Sequence, residues 1–149
     1  MQPILLDTCT LIFLNQKTQM TAAAVETMRV TSEREGTTYI SPISAWEVGM
    51  LASRNRLQLL IRSERWFANL FEVPGVKLAG MSPDVLIASS YLPGDAPHDP
   101  ADRIIAATAR ELGAMLITRD RALLDYGEQG HVSVVECRAV LANTYTKSS

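Results

Sequence analysis

Asp7, Glu47, Asp102 and Asp120 are the side chains of this sequence best suited to act together. Asp7 and Asp120 each come just after a short apolar run, residues 4–6 and 114–117, as expected at the ends of buried strands. Glu47 and Asp102 read as members of the first turns of two helices. With right-handed strand–helix–strand crossovers, all four belong at one edge of a sheet. Two carboxylates about 4 Å apart repel by roughly 4 kcal/mol at an effective dielectric near 20. Such a group demands bound protons or a cation. Hard oxygen donors with few imidazoles favour Mg2+ or Mn2+ over Zn2+. Ions of that kind activate water and steady the charge of a phosphodiester displaced in line. Each acid also has a plainer role open to it. Asp99 can cap a helix, Asp102 and Glu47 can complement helix dipoles, and Asp7 and Asp120 can sit in turns.

Arginines flank this set. Arg103 and Arg119 lie beside the acids in sequence and are candidates to hold phosphate. Arg54, Arg56, Arg62 and Arg65 fall in one segment, either to track a nucleic-acid backbone or as a solvated helix face. His98 and His131 sit in unrelated contexts and do not suggest a zinc pair.

The elements that must position these residues alternate as strand and helix. Residues 98–120 show the pattern most clearly: Asp99 as N-cap, Pro100 at the first helical position, and Ile104, Ile105, Thr108 and Leu112 at helical spacing. Gly113 then closes the helix before a strand at 114–117. Strands are also expected at 4–6, 38–40, 76–78 and 132–135. Helices are expected as a short turn from Leu11, from Thr21 to about Glu35, from a cap at Ser44 with Glu47 three residues on, over 63–71, and from Ser82 to about Tyr91. Residues 54–60, 92–97 and 125–130 read as turns or loops. Alternation of this kind implies an α/β domain with a mostly parallel sheet, which binds ligands beyond the carboxyl ends of its strands.

A chain of 149 residues can bury one substantial core. A single domain over 1–142 is expected, with 143–149 as a frayed tail. The N-terminal residues lack the basic and apolar regions of a signal peptide, and no apolar run is long enough to span a bilayer. Cys9 and Cys137 make no disulfide framework and read as buried free thiols, which points to a reducing cytoplasm. A net charge of −2 gives no global signal for nucleic acid, although Lys17, Lys77 and Lys147 are the only lysines among 14 basic residues. Trp46, Trp66 and Phe67 are expected in the core.

Four motifs in order carry a family resemblance: Leu-Leu-Asp-Thr at 5–8, Ser-Ala-Trp-Glu at 44–47, His-Asp-Pro-Ala-Asp-Arg-Ile-Ile-Ala-Ala at 98–107, and Leu-Ile-Thr-Arg-Asp at 116–120. Together they resemble the PIN-domain ribonucleases, and more narrowly the VapC toxins of bacterial toxin–antitoxin pairs. The resemblance spans Ile4 to about Val135. It implies a three-layer α/β/α fold around a mostly parallel sheet of about five strands. It further implies a Mg2+ or Mn2+ site built by Asp7, Glu47, Asp102 and Asp120, with Asp99 as an additional acidic position. Thr8 and Thr118 match hydroxyl positions near that site. Ala101 stands where many relatives carry an aromatic residue, a departure that touches packing. The activity implied is hydrolytic cleavage of RNA, tRNA or another structured RNA among the candidates. A homodimer is implied too, silenced by a partner antitoxin near the acidic groove, in a higher-order complex with it, and part of the tryptophan-rich surface is a candidate to receive that partner.

A phosphotransfer module also sets aspartates at strand ends around Mg2+. The aspartyl-phosphatase pattern wants a second aspartate where Cys9 stands, and a receiver wants a lysine after a late strand, where this chain has none. A nuclease of the same fold acting on DNA or other RNA stays open. A non-catalytic binding domain would not need the intact acidic set.

Overall fold

A computed structural model of the chain describes residues 1–140. The expected tail at 143–149 lies outside those residues. Five short strands form one sheet: β1 (Ile4–Leu6), β2 (Thr38–Ile40), β3 (Val76–Leu78), β4 (Met115–Thr118) and β5 (Ser133–Glu136). Their order is β3-β2-β1-β4-β5, and every pairing is parallel. β1 is central, with Leu5 opposite Tyr39 on one side and Leu116 on the other. The chain leaves β1 toward β2 and β3, then crosses back to add β4 on the other side. The gap between β1 and β4 is therefore the topological switch point, where parallel sheets open a crevice beyond their strand ends.

Among the described residues seven α-helices accompany the strands: α1 (Thr8–Asn15), α2 (Ala22–Glu33), α3 (Pro42–Ser53), α4 (Ser63–Asn69), α5 (Pro83–Ala88), α6 (Pro100–Leu112) and α7 (Arg121–Glu128). The strands are apolar at successive positions because both sheet faces are covered. Ile4, Leu6, Ile40 and Ile117 pack on one face with Leu11, Phe13 and Ala24. Leu5 and Leu116 pack on the other with Ile105, Ala106, Ala109, Leu123 and Tyr126. This is the three-layer α/β/α arrangement anticipated from the sequence. Among the described residues no helix is long and apolar enough to cross a membrane.

Several local expectations are corrected. α3 begins at Pro42, with Ser41 as its cap: the Ser41 hydroxyl accepts the Ile43 N–H at 3.1 Å. Proline at the first position suits a helix start because its missing N–H has no partner to lose there. Ser44 is thus inside the helix, and Glu47 lies in the second turn rather than the first. Residues 125–130 are not simply a loop, since α7 runs to Glu128. Gly127 masks the helical pattern of Leu123, Leu124 and Tyr126, all buried. The helix from Ser82 ends at Ala88, short of Tyr91, and α2 ends at Glu33. Trp46 is 56% exposed, against the core position expected of it, while Trp66 and Phe67 are partly buried.

Candidate active site

The aspartates owe their places to helix starts, and Glu47 comes from the second turn of α3. β1 ends at Leu6, and Asp7 caps α1 through its own carboxylate, Oδ1 accepting the Thr8 N–H at 2.8 Å. β4 ends at Thr118. Asp120 caps α7, Oδ1 accepting the Leu123 N–H at 3.0 Å. Asp99 caps α6, Oδ1 accepting the Asp102 N–H at 3.1 Å, which sets Asp102 in the first turn. Caps and first-turn acids gain from the partial positive charge at a helix N-terminus. Three helix starts converge on the switch point and bring their acids with them.

Two threonine hydroxyls join the pieces. Thr118 Oγ1 donates to Asp7 Oδ2 at 2.6 Å and accepts the Asp120 N–H at 3.0 Å. Thr8 Oγ1 donates to Glu47 Oε1 at 2.6 Å and lies 2.8 Å from Ser44 Oγ. Both threonines are buried. Each donates its hydroxyl proton to one of the acids, at the site where the resemblance set them.

Asp7, Thr8, Cys9, Glu47, Asp102, Arg119, Asp120 and Arg121 line one cleft of about 380 Å³. Larger hollows exist beside Arg110 and His131, about 490 Å³, and beside Trp66, about 570 Å³, but neither gathers comparable titratable groups. Asp99 is outside the cleft wall, although its charge reaches Glu47 and Asp102. Arg119 borders the cleft, its guanidinium 5.3 Å above the Phe13 ring. Arg121 borders it too and is engaged with Asp125 at 3.0 Å. Arg103 is turned away from the expected phosphate position: Nε donates to Ser89 O at 2.8 Å and Nη1 to Pro97 O at 2.9 Å, so it braces the loop before α6. Arg54 follows α3 and Arg56 the next turn; both are exposed, and neither lines the cleft.

The electrostatics show what the cleft lacks. Burial pushes the Asp102 carboxyl up to about 8, and Asp120, Asp7, Asp99 and Glu47 push the same way. Burial also raises Asp7, against the lowering effect of the Thr118 and Thr8 hydrogen bonds, and Asp120 adds to the rise. Glu47 is raised by burial, eased by Thr8, and raised further by Asp7, Asp99 and Asp120. Among the described residues, none of the four acids takes part in an ion pair. Cys9 Sγ sits 3.9 Å from Asp7 Oδ2, and burial followed by the Asp7 charge lifts its thiol to about 12. That thiol stays protonated near neutrality and is a poor nucleophile.

Sequence reasoning located the four acids but not two of their neighbours. Ser44 was read as a helix cap and Cys9 as an inert buried thiol. The available signals were Ser44 one helical turn before Glu47, and Cys9 two residues after Asp7.

Fold and cleft together define a class: a parallel α/β/α domain with uncompensated carboxylates at its switch point. The chain belongs to the PIN-domain family, whose sequence model matches residues 4–129. It is 39% identical over 95 residues to Ribonuclease VapC22 of Mycobacterium tuberculosis (strain ATCC 25618 / H37Rv), a match covering 64% of this chain and 72% of that protein. Solved structures share its fold. VapBC2 from Rickettsia felis, bound to a DNA fragment from their promoter, superposes with a TM-score of 0.61 at 14% identity, covering 92% of this chain and 100% of that one. DNA-bound VapBC from Salmonella typhimurium gives 0.61 at 20% identity, over 91% and 98%.

Proposed function

We propose that this chain is a divalent-metal-dependent endoribonuclease and the toxin of a toxin–antitoxin pair. The observation that carries the reading is the acidic cleft itself: Asp7, Glu47, Asp102 and Asp120 line it together, and among the described residues none of them has an ion-pair partner. The similarity to a ribonuclease, 39% over 95 residues, supplies the substrate class.

The donor set fits Mg2+ or Mn2+, being all hard oxygen. Among the described residues no three His, Cys, Asp or Glu side chains stand ready to chelate an ion. The four acids still line one cleft, and burial and neighbouring charges push the Asp7, Glu47 and Asp102 carboxyls up. Asp7, Glu47, Asp102 and Asp120 would hold the metal, with Asp99 adding charge from outside. A bound divalent ion there supplies an activated water and charge stabilisation at the phosphate.

The chain's own residues do the rest. Thr118 and Thr8 hold Asp7 and Glu47 in place through buried hydroxyls. Arg119, on the cleft wall, meets a phosphate of the bound RNA, and exposed Arg54 and Arg56 contact its backbone farther out. Neither threonine is free to attack, because each hydroxyl proton is already donated to a carboxylate. With the Cys9 thiol protonated as well, no side chain serves as covalent nucleophile, and the reaction is hydrolysis. The protein works in the cytoplasm as a homodimer held silent by an antitoxin; that partnership is drawn from the names of its structural relatives.

RNA cleavage with and without Mg2+ or Mn2+ tests the reading. Asp7→Asn and Asp102→Asn are each expected to lower the rate by at least about a hundredfold, the scale of losing a charge-stabilising group. Cleavage surviving both substitutions, or persisting in excess chelator, refutes the mechanism. Harmless expression of the active enzyme in bacteria refutes the toxin role separately.

A further inference from the structure

Glu47 is held in the cleft by one hydrogen bond. It stands on α3, outside the sheet, at the end of a long side chain, and among the described residues Thr8 alone hydrogen-bonds its carboxylate. Asp7, Asp99 and Asp120 all oppose its charge, and no ion pair offsets them among the described residues. Something other than electrostatics keeps Glu47 in the cleft.

Thr8 Oγ1 has two neighbours, Glu47 Oε1 at 2.6 Å and Ser44 Oγ at 2.8 Å. A hydroxyl owns one proton and accepts through its lone pairs. The shorter contact is to the carboxylate, the stronger acceptor, so the Thr8 proton goes there. Ser44 must then be the donor to Thr8. The chain runs one way, from the Ser44 O–H to Thr8 Oγ1 and from the Thr8 O–H to Glu47 Oε1. Ser44 is 0% exposed and is kept from solvent and substrate alike. Thr8 also gives its backbone N–H to Asp7 Oδ1 at 2.8 Å, so one residue ties together acids from two elements.

We infer that Ser44 is a positioning residue of the acidic cleft: its hydroxyl fixes the rotor of Thr8, and the proton so aimed holds Glu47 by Oε1 while leaving Oε2 unshared. The inference rests on the cleft being a divalent-ion site and concerns how that site is kept in shape before an ion arrives. Ser44 one turn before Glu47 on α3, with Thr8 reaching both from α1, is a three-point lock that neither helix forms alone.

The test compares wild type with Ser44→Ala, Thr8→Val and Thr8→Ser by three readouts: crystal structures grown in chelator, calorimetric titration with Mn2+, and RNA cleavage against Mn2+ concentration. Ser44→Ala is expected to leave the fold intact while Glu47 turns away from Thr8 or spreads over several rotamers. Its Mn2+ affinity falls about tenfold, the usual scale when a partner behind a metal ligand is lost. Half-maximal cleavage needs correspondingly more Mn2+, and the maximal rate recovers at saturation. Thr8→Val loses the seat of Glu47 and the Mn2+ affinity in the same way, and Thr8→Ser, which keeps the hydroxyl, restores both. Ser44→Cys, which keeps bulk but donates weakly, moves the readouts the same way and stands in if Ser44→Ala fails to fold. Glu47 still seated on Thr8 in these Ser44 variants, or Mn2+ affinity unchanged in them, overturns the inference. Should wild type bind no Mn2+, the nuclease reading falls, and the position of Glu47 in the metal-free structures decides this inference by itself.

Discussion

Burial and four neighbouring acids weigh on the Asp102 carboxyl, and its response to pH follows from that. Its carboxyl is lifted from 3.8 to about 8 in the folded chain. The folded state therefore holds a proton that the unfolded chain releases, and stability falls as pH rises through that window. Asp102→Asn removes the effect. Solvent screening at this half-buried group leaves about 1 kcal/mol of it. In chelator at pH 8, thermal melting of the variant should lie roughly 2–4 °C above wild type, with no difference near pH 4. Metal binding should show the opposite sign: the acids must lose protons to bind an ion, so Mn2+ affinity rises toward pH 8 and protons are released. Calorimetry in two buffers of different ionisation enthalpy counts those protons. Thr118→Val leaves the Asp120 N–H and Asp7 Oδ2 without their shared partner in a buried place. It should destabilise by about 1–3 kcal/mol in a denaturant melt. The acids were legible in the sequence because strand ends and helix starts fix where they go. The target of Arg103 was not, because a long side chain bonds whichever backbone returns to it, here Ser89 and Pro97.

Helix and strand identity followed from pattern where the pattern was strong. α6 begins with Asp99 and Pro100 and ends at Gly113, whose φ of 61° lies in the left-handed region that favours glycine. Such caps are local and can be read from a few residues. α7 was harder because Gly127 sits inside it, and the reason for that glycine is tertiary. A Cβ at this position would collide with the Val134 side chain of β5. Gly127→Ala should therefore destabilise by about 1–3 kcal/mol through overpacking, although alanine is the better helix former. Circular dichroism melts of the two proteins settle the sign. The start of α3 shows the reverse difficulty. Two serines, Ser41 and Ser44, both suit a cap and both are buried; Ser41 accepts the Ile43 N–H, whereas Ser44 bonds Thr8 of another helix.

At the scale of the molecule, fold class was legible because alternation of strands and helices leaves few topologies, whereas the cleft's geometry depends on how β1 and β4 meet. The acids of the cleft oppose one another's charge, so binding of the proposed ion should appear as global stability. Mn2+ at a hundredfold excess over its dissociation constant stabilises by about 2.7 kcal/mol, or roughly 5–10 °C in melting temperature. Asp7→Asn should abolish most of that rise. The central place of β1 has another consequence, which concerns the ribosome. Ile4 pairs with Met115, so the first strand is synthesised long before the neighbour that completes its edge. Asp7 waits equally long for Thr118 and Asp120. A nascent fragment lacking β4 has an unpaired strand and half a cleft; it should be sensitive to protease and inert toward RNA. Purified fragments ending before β4 and after β5 should differ sharply in both respects.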